Sequence, residues 1–125
     1  MPGVVLGWYV LSIMEVTIEH IGTLPVVVVS GRMDTSTAPA FDAQVAPMLA
    51  EPRKNILVDM GGVTYMSSAG LRSLLQLVKH TAVQAGRVGL FGAPPSIMEV
   101  VEISGFPALL DVYADRATAL SVHAS

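Results

Sequence analysis

The sequence predicts one α/β domain in which an N-terminal β-hairpin leads into β-α units that build a parallel sheet. Three observations predict it. Two β-type runs separated by a turn open the domain, and strand-length apolar bursts then alternate with stretches whose apolar residues recur at three-and-four spacing. The chain has 125 residues, 52% of them apolar and 14% charged, which is one domain's worth of material with ample side chains for a core. Regular alternation of strand and helix after a hairpin favours right-handed parallel crossovers.

The elements follow in order. Glu15-Val16-Thr17-Ile18-Glu19, within residues 14–20, alternates polar and apolar side chains and reads as a half-buried or edge strand. Residues 22–25 make a turn, and Val26-Val27-Val28-Val29 is a β-branched run for a more central strand paired with the first. Gly31-Arg32-Met33-Asp34 closes that strand. Thr35, Ser36 and Thr37 are each candidate caps for a first helix with Phe41, Val45, Met48 and Leu49 on its core face. Pro39 suits the first turn of this helix, whereas Pro47 is expected to kink it or to start a second short turn. Glu51-Pro52-Arg53-Lys54 is a polar loop, residues 55–60 a short strand, and Gly61-Gly62 a turn.

Leu71, Leu74, Leu75, Val78 and Ala82 mark a second helix, predicted to run to Ala85 with Gly86 as its C′ residue. Residues 87–91 form a strand and Gly92-Ala93-Pro94-Pro95 a loop. A third helix opens at Pro95 or Ser96, turns Ile97, Val100 and Val101 inward, and closes at Gly105 with Phe106 packed over its end. A last short strand lies around Val112 and Tyr113. Asp115 then caps a terminal helix that uses Ala117, Leu120 and Val122. Residues 1–13 form an apolar extension to the domain of residues 14–125. The extension lacks the basic start and cleavage site of a secretory signal and is too short to span a bilayer. It is expected to serve as an extra strand, a cover for an exposed sheet face, or a membrane or partner contact.

Composition excludes several chemistries. A net charge of -3 without any basic run argues against nucleic acid as a direct partner. The absence of cysteine rules out disulfides, thiolate catalysis and cysteine-ligated metal, and suits a reducing cytoplasm. His20, His80 and His123 stand singly, with no carboxylate at ligand-like spacing, so no metal site is expected. Neither the dinucleotide fingerprint nor a Walker motif is present, and no cofactor is expected.

Polar chemistry concentrates in Met66-Ser67-Ser68-Ala69-Gly70-Leu71-Arg72, where a strand becomes a helix. Ser67 fits the N-cap, because its hydroxyl can accept from an orphaned N–H of the first turn. Met66 and Leu71 then occupy the two positions of a hydrophobic staple. Gly70 keeps the turn slim. Ser68 becomes the first helical residue, exposed beside the positive end of the helix dipole. No Gly-x-Ser-x-Gly elbow is present, and His80 would lie about 18 Å along the same helix, too far to act as a base for Ser68. Two readings of the serine pair remain: a helix cap and nothing more, or a site of reversible phosphorylation that switches a partner without unfolding the helix.

Gly31-Arg32-Met33-Asp34, the run Val58-Asp59-Met60 leading to Val63-Thr64-Tyr65-Met66, and Ser67-Ser68-Ala69-Gly70-Leu71-Arg72 together resemble the STAS domain family, the anti-sigma factor antagonists in particular. The resemblance covers nearly all of residues 14–123. It implies a β-α superhelix around a mixed sheet, no catalysis, and a bacterial, cytoplasmic regulator of transcription that works by partner switching. The unphosphorylated antagonist would bind an anti-sigma factor that is also a serine kinase of the histidine-kinase ATPase fold; phosphorylation would break the complex and a serine phosphatase would restore it. Carried across by position, the acceptor falls on Ser68. Ser67 stands where many members have aspartate, which preserves the cap and removes a negative charge beside the acceptor. Asp34 matches an aspartate that lies near the site in the family, or else only begins the following turn. Met66, Ser67, Ala69, Gly70, Arg72 and Lys79 join Asp34 as expected partner-binding residues, although Arg72 and Lys79 read equally as solvated helix charges. A weak homodimer is left open. The alternative is a STAS interaction module without a switch, held in a stressosome-like scaffold or a lipid-transport complex.

Overall fold

The computed structural model describes residues 5–6, 9–10, 14–51, 55–105 and 110–123. Strands β1 (Val5–Leu6) and β2 (Tyr9–Val10) pair antiparallel with each other as a separate two-stranded sheet. The rest of the extension, the loop at 52–54 and the expected packing of Phe106 lie outside the described residues. The main elements are β3 (Met14–Ile21), β4 (Leu24–Met33), α1 (Ala38–Leu49), β5 (Asn55–Met66), α2 (Ser68–Val83), β6 (Arg87–Phe91), α3 (Pro95–Ile103), β7 (Asp111–Tyr113) and α4 (Arg116–His123).

The five-stranded sheet has the order β3-β4-β5-β6-β7. Only the first pair is antiparallel, as the predicted hairpin requires; the remaining three are parallel. Central strands are apolar on both faces because both are covered. Val27, Val29, Ile56, Val58, Val88 and Leu90 join one core cluster, which includes Phe41 of α1, Leu74 and Leu77 of α2, and Ile97 of α3. Their alternate neighbours Val26, Leu57 and Phe91 form a smaller cluster with Ala119 of α4. Three helices thus share one face, and α4 packs on the other.

The structure departs from the sequence expectations at several places, beginning with the hairpin turn, which takes only Gly22 and Thr23 because Leu24 and Pro25 already pair with Ile21 and His20. Gly61-Gly62 is not a turn, because β5 runs unbroken through it. The ladder instead slips twice: from Val28 to Ser30 on β4 the partner advances from Asp59 to Gly62, and from Gly31 to Arg32 it advances from Val63 to Tyr65. Each slip leaves one extra residue on β5, a bulge. Gly62 is needed at the first, where a Cβ would lie 2.7 Å from the Ser30 Cβ. Nor is α1 divided at Pro47; it continues to Leu49. The proline sits in the last turn, so the bond it forfeits is to the carbonyl of exposed Ala43, which water can reach.

Helix α2 ends at Val83, and the left-handed residue after it is Ala85 at φ 61° rather than Gly86. Backbone bonds fix this: the N–H of Ala85 reaches the carbonyl of Ala82, and that of Gly86 reaches back to Thr81. Finally, α4 faces the sheet through Ala119, while Ala117 and Val122 are exposed. Its expected cap holds, with the Asp115 carboxylate accepting from the Thr118 N–H at 2.9 Å.

The start of α2 rests on the end of β4. The N–H of Ser67 donates to the carbonyl of Met33 at 2.8 Å. Gly70 is pressed so close that an added Cβ would stand 2.5 Å from that carbonyl oxygen and 2.7 Å from the Met33 Cβ.

Two substitutions follow from these contacts. Ala85→Gly relieves the left-handed strain and is expected to raise unfolding stability by about 1 kcal/mol, read from the urea midpoint at constant slope. Gly70→Ala wedges the first turn of α2 away from β4 and is expected to cost about 1–3 kcal/mol in the same measurement.

Candidate functional site

The two adjacent serines divide their tasks through backbone geometry. Ser67 is extended (φ -90°, ψ 178°), so its Oγ turns back over the helix start and accepts from the Gly70 N–H at 3.3 Å. Its carbonyl accepts the first helical bond from Leu71 at 2.9 Å. Ser68, one residue on, is helical and exposed. Met66 is buried and Leu71 half-buried against the same core cluster, which fits the staple read from the sequence.

Ser68 opens onto a shallow groove walled by Thr35 after β4, Tyr65 and Met66 of β5, Ala69 and Leu71 of α2, and Val100 of α3. Tyr65, three residues upstream on β5, belongs to the strand read from the sequence but was not named at the site, and Thr35 and Val100 were not foreseen because they reach Ser68 only through the sheet register and the α3 crossover. Arg32 enters for the same reason. It is opposite Tyr65 in the β4–β5 ladder, and its guanidinium carbon stands 4.2 Å from the Tyr65 ring centroid. This cation–π contact holds a positive charge against a groove wall.

Asp34 is committed to its own turn. Its Oδ1 accepts from the Ser36 hydroxyl at 2.6 Å and from the N–H groups of Ser36 at 2.9 Å and Thr37 at 3.2 Å, while Arg32 Nε reaches Oδ2 at 3.4 Å. The Asp34 carbonyl also receives the N–H of Ala38 at 2.8 Å. Asp34 therefore does for the start of α1 what was expected of the Thr35, Ser36 and Thr37 side chains. Thr37 instead ties the turn together, accepting from the Asp34 N–H at 2.8 Å and donating to the Arg32 carbonyl at 2.7 Å. The Ser36 hydroxyl, joined by the two backbone donors and Arg32 against opposing desolvation, holds the Asp34 carboxyl below the usual carboxylate range.

Of the other residues expected at the site, Gly70 is buried against Met33, and Arg72 and Lys79 are exposed on the outer side of α2. The histidines lie apart from the groove. His20 is exposed on β3, His80 Nε2 is 3.1 Å from the Leu49 carbonyl, and His123 Nε2 is 2.7 Å from the Tyr113 hydroxyl. The second polar cluster of the molecule surrounds His123. There Arg87 grips Asp111 through two bonds of 3.2 and 2.7 Å, which lowers the Asp111 carboxyl from its ordinary range. Among the described residues no group of three or more His, Asp or Glu side chains could hold a metal ion. No described helix is long and apolar enough to cross a membrane.

Since the folded-state pKa of Asp34 is depressed, the stabilisation from its ionised form is present above the unfolded value of about 3.9 and is lost as pH falls through the lower folded value. Asp34→Asn is expected to flatten the fall in stability below about pH 4, measured by urea unfolding across that range.

Comparison with known proteins places these features in a family. The family model described as "Mlab, STAS domain" matches residues 16–111. BtrV of Bordetella bronchiseptica, provisionally named an anti-sigma factor antagonist, is 29% identical over 85% of this chain and 91% of its own length. An anti-sigma factor antagonist from Mycobacterium paratuberculosis shares the fold with a TM-score of 0.81 at 22% identity, over 90% of this chain and 95% of that one. The anti-sigma factor antagonist SpoIIAA of Bacillus, at 17% identity, matches in its unphosphorylated form with a TM-score of 0.74 over 89% and 98% of the two chains, and in its phosphorylated form with 0.69 over 87% and 100%. The matched residues take in the hairpin, the parallel ladder and α2 with its serine pair, and the chain belongs to the STAS domain family.

Proposed function

We propose that this chain is an anti-sigma factor antagonist, a non-catalytic regulator that binds a kinase-type anti-sigma factor and is released by phosphorylation of Ser68. One observation carries the reading: Ser67 takes the capping bond, and Ser68 stands exposed as the first residue of α2. Relatives named as anti-sigma factor antagonists agree with it. Phosphate on Ser68 would add a charge of about -1.5 to -2 at a helix start, where free N–H groups and the helix dipole tolerate it. The fold would survive the modification and a docked partner would not. The kinase would be of the histidine-kinase ATPase fold, and a serine phosphatase would reset the cycle in the cytoplasm.

A second reading, a STAS module held in a larger assembly without a switch, is favoured by the neutral Ser67 beside the acceptor. Incubation with the histidine-kinase-type anti-sigma factor of the same genome and ATP, followed by mass-spectrometric mapping, separates the two. Phosphate on Ser68, none on the Ser68→Ala variant, and at least about tenfold weaker binding of Ser68→Asp are expected for the antagonist. Unmodified Ser68 together with unchanged binding of Ser68→Asp would leave the module.

A further inference from the structure

The five-stranded sheet ends in two unlike edges, β3 and β7. β7 has only three residues, too few to invite another strand. β3 has eight, and it pairs with β4 from Met14↔Gly31 to Ile21↔Leu24 without a slip. The tight turn makes Ile21↔Leu24 the hydrogen-bonded pair that closes the hairpin. Odd-numbered residues of β3 therefore bond to β4, and even-numbered ones aim their N–H and C=O groups outward. Pro25 opposite His20 fits this phase, having no N–H to give. Among the described residues no strand lies beyond Val16, Ile18 and His20. β3 also contains no proline, lysine or bulge to blunt the edge. Its acids, Glu15 and Glu19, share the α4 face, where Arg116 reaches Glu19 at 2.7 Å. Its other face carries Met14, Val16 and Ile18, half-buried against the main core.

We propose that β3 pairs antiparallel with β3 of a second copy of this chain about a two-fold axis at Val16, joining the two five-stranded sheets into one. Self-complementarity selects both the occupant and the register. An axis perpendicular to the sheet keeps each face on its own side, so residues of like parity meet. With the axis at Thr17, Glu15 faces the partner's Glu19 and Glu19 the partner's Glu15, two like-charge pairs directly opposite. With the axis at Ile18, Val16 faces the partner's His20 and Met14 passes beyond the strand end to the partner's Gly22. The axis at Val16 avoids both faults. Glu15 then faces the partner's Thr17, Met14 faces the partner's Ile18, and the two apolar rows become one. Residues 1–13 precede Met14 directly, and this register carries them past the partner's Glu19 and His20. Their apolar side chains enlarge an interface that strand pairing alone leaves small. The two copies of β5 run in opposite directions, so the two Ser68 grooves lie toward opposite ends of the joint sheet.

The test uses the full chain in sedimentation equilibrium over a range of concentrations, where a reversible monomer–dimer equilibrium is expected. Thr17 is exposed, and Thr17→Glu should weaken the dimer about tenfold by meeting the partner's Glu15 at two symmetric places. Adding Glu15→Lys to Thr17→Glu should restore it. Val16→Pro removes an outward N–H and spares the β4 ladder, so it should be monomeric with its cooperative urea transition retained. The chain has no cysteine, so introduced thiols report the register directly. Glu15→Cys and Thr17→Cys proteins, mixed and mildly oxidised, should form a mixed disulfide that neither forms alone. A wild-type chain that stays monomeric would overturn the proposal and leave the edge to residues 1–13 of the same copy or to a strand of another protein. A dimer indifferent to both Thr17→Glu and Val16→Pro would overturn pairing through β3. A disulfide formed by Thr17→Cys alone, or none in the mixture, would overturn the axis at Val16.

Discussion

The first turn of α2 lies directly on the last residue of β4, and the geometry of the exposed serine depends on that contact. Gly70 leaves room for the Met33 carbonyl to come within van der Waals reach of the helix backbone, and the Ser67 N–H bonds to the same carbonyl at 2.8 Å. One oxygen thus receives a hydrogen bond from the residue before the helix and a steric contact from its third residue. With both fixed, Ser67 has its extended conformation and Ser68 can only face outward. The Ser68 hydroxyl is consequently positioned by the sheet rather than by a loop, which makes its placement rigid.

Much of this could be read from the chain because its causes are local. Capping by Ser67 needs only residues 66–71, and the change from alternating to three-and-four spacing occurs within a few positions of each strand end. Features that depend on register were hidden. Arg32 and Tyr65 are 33 positions apart and meet only because two strands align. The end of α2 was misplaced for a related reason: glycine is the natural left-handed residue, but the carbonyls of Thr81 and Ala82 draw the chain into that conformation one residue sooner, at Ala85. The inward face of α4 was also obscured, since a short helix with a single buried residue leaves little periodicity to detect.

The polar groups have settled into two separate neighbourhoods on the two sides of the sheet. Around α4, Arg87, Asp111, Tyr113 and His123 bind one another, with a paired cation and carboxylate at the centre. Around the α2 start, by contrast, Asp34 is consumed by its turn and Ser67 by its cap. Local polar needs there are met internally, so the charges that remain on the outer side of α2 face solvent. A surface of this kind keeps its character when nearby turns loosen slightly.

The two slips of the β4–β5 ladder explain an oddity in the spacing of the β5 core residues. Ile56, Val58 and Met60 follow the two-residue alternation of a strand, whereas Val63 and Met66 each come three residues later. Each extra residue resets the phase, so the upstream half of β5 keeps its own register with β6 while the downstream half takes another with β4. In evolutionary terms the strand has two independently adjustable parts. Substitutions, or gain and loss of a bulge near Gly62, can re-aim Tyr65 and the serines that follow without moving Ile56 or Val58.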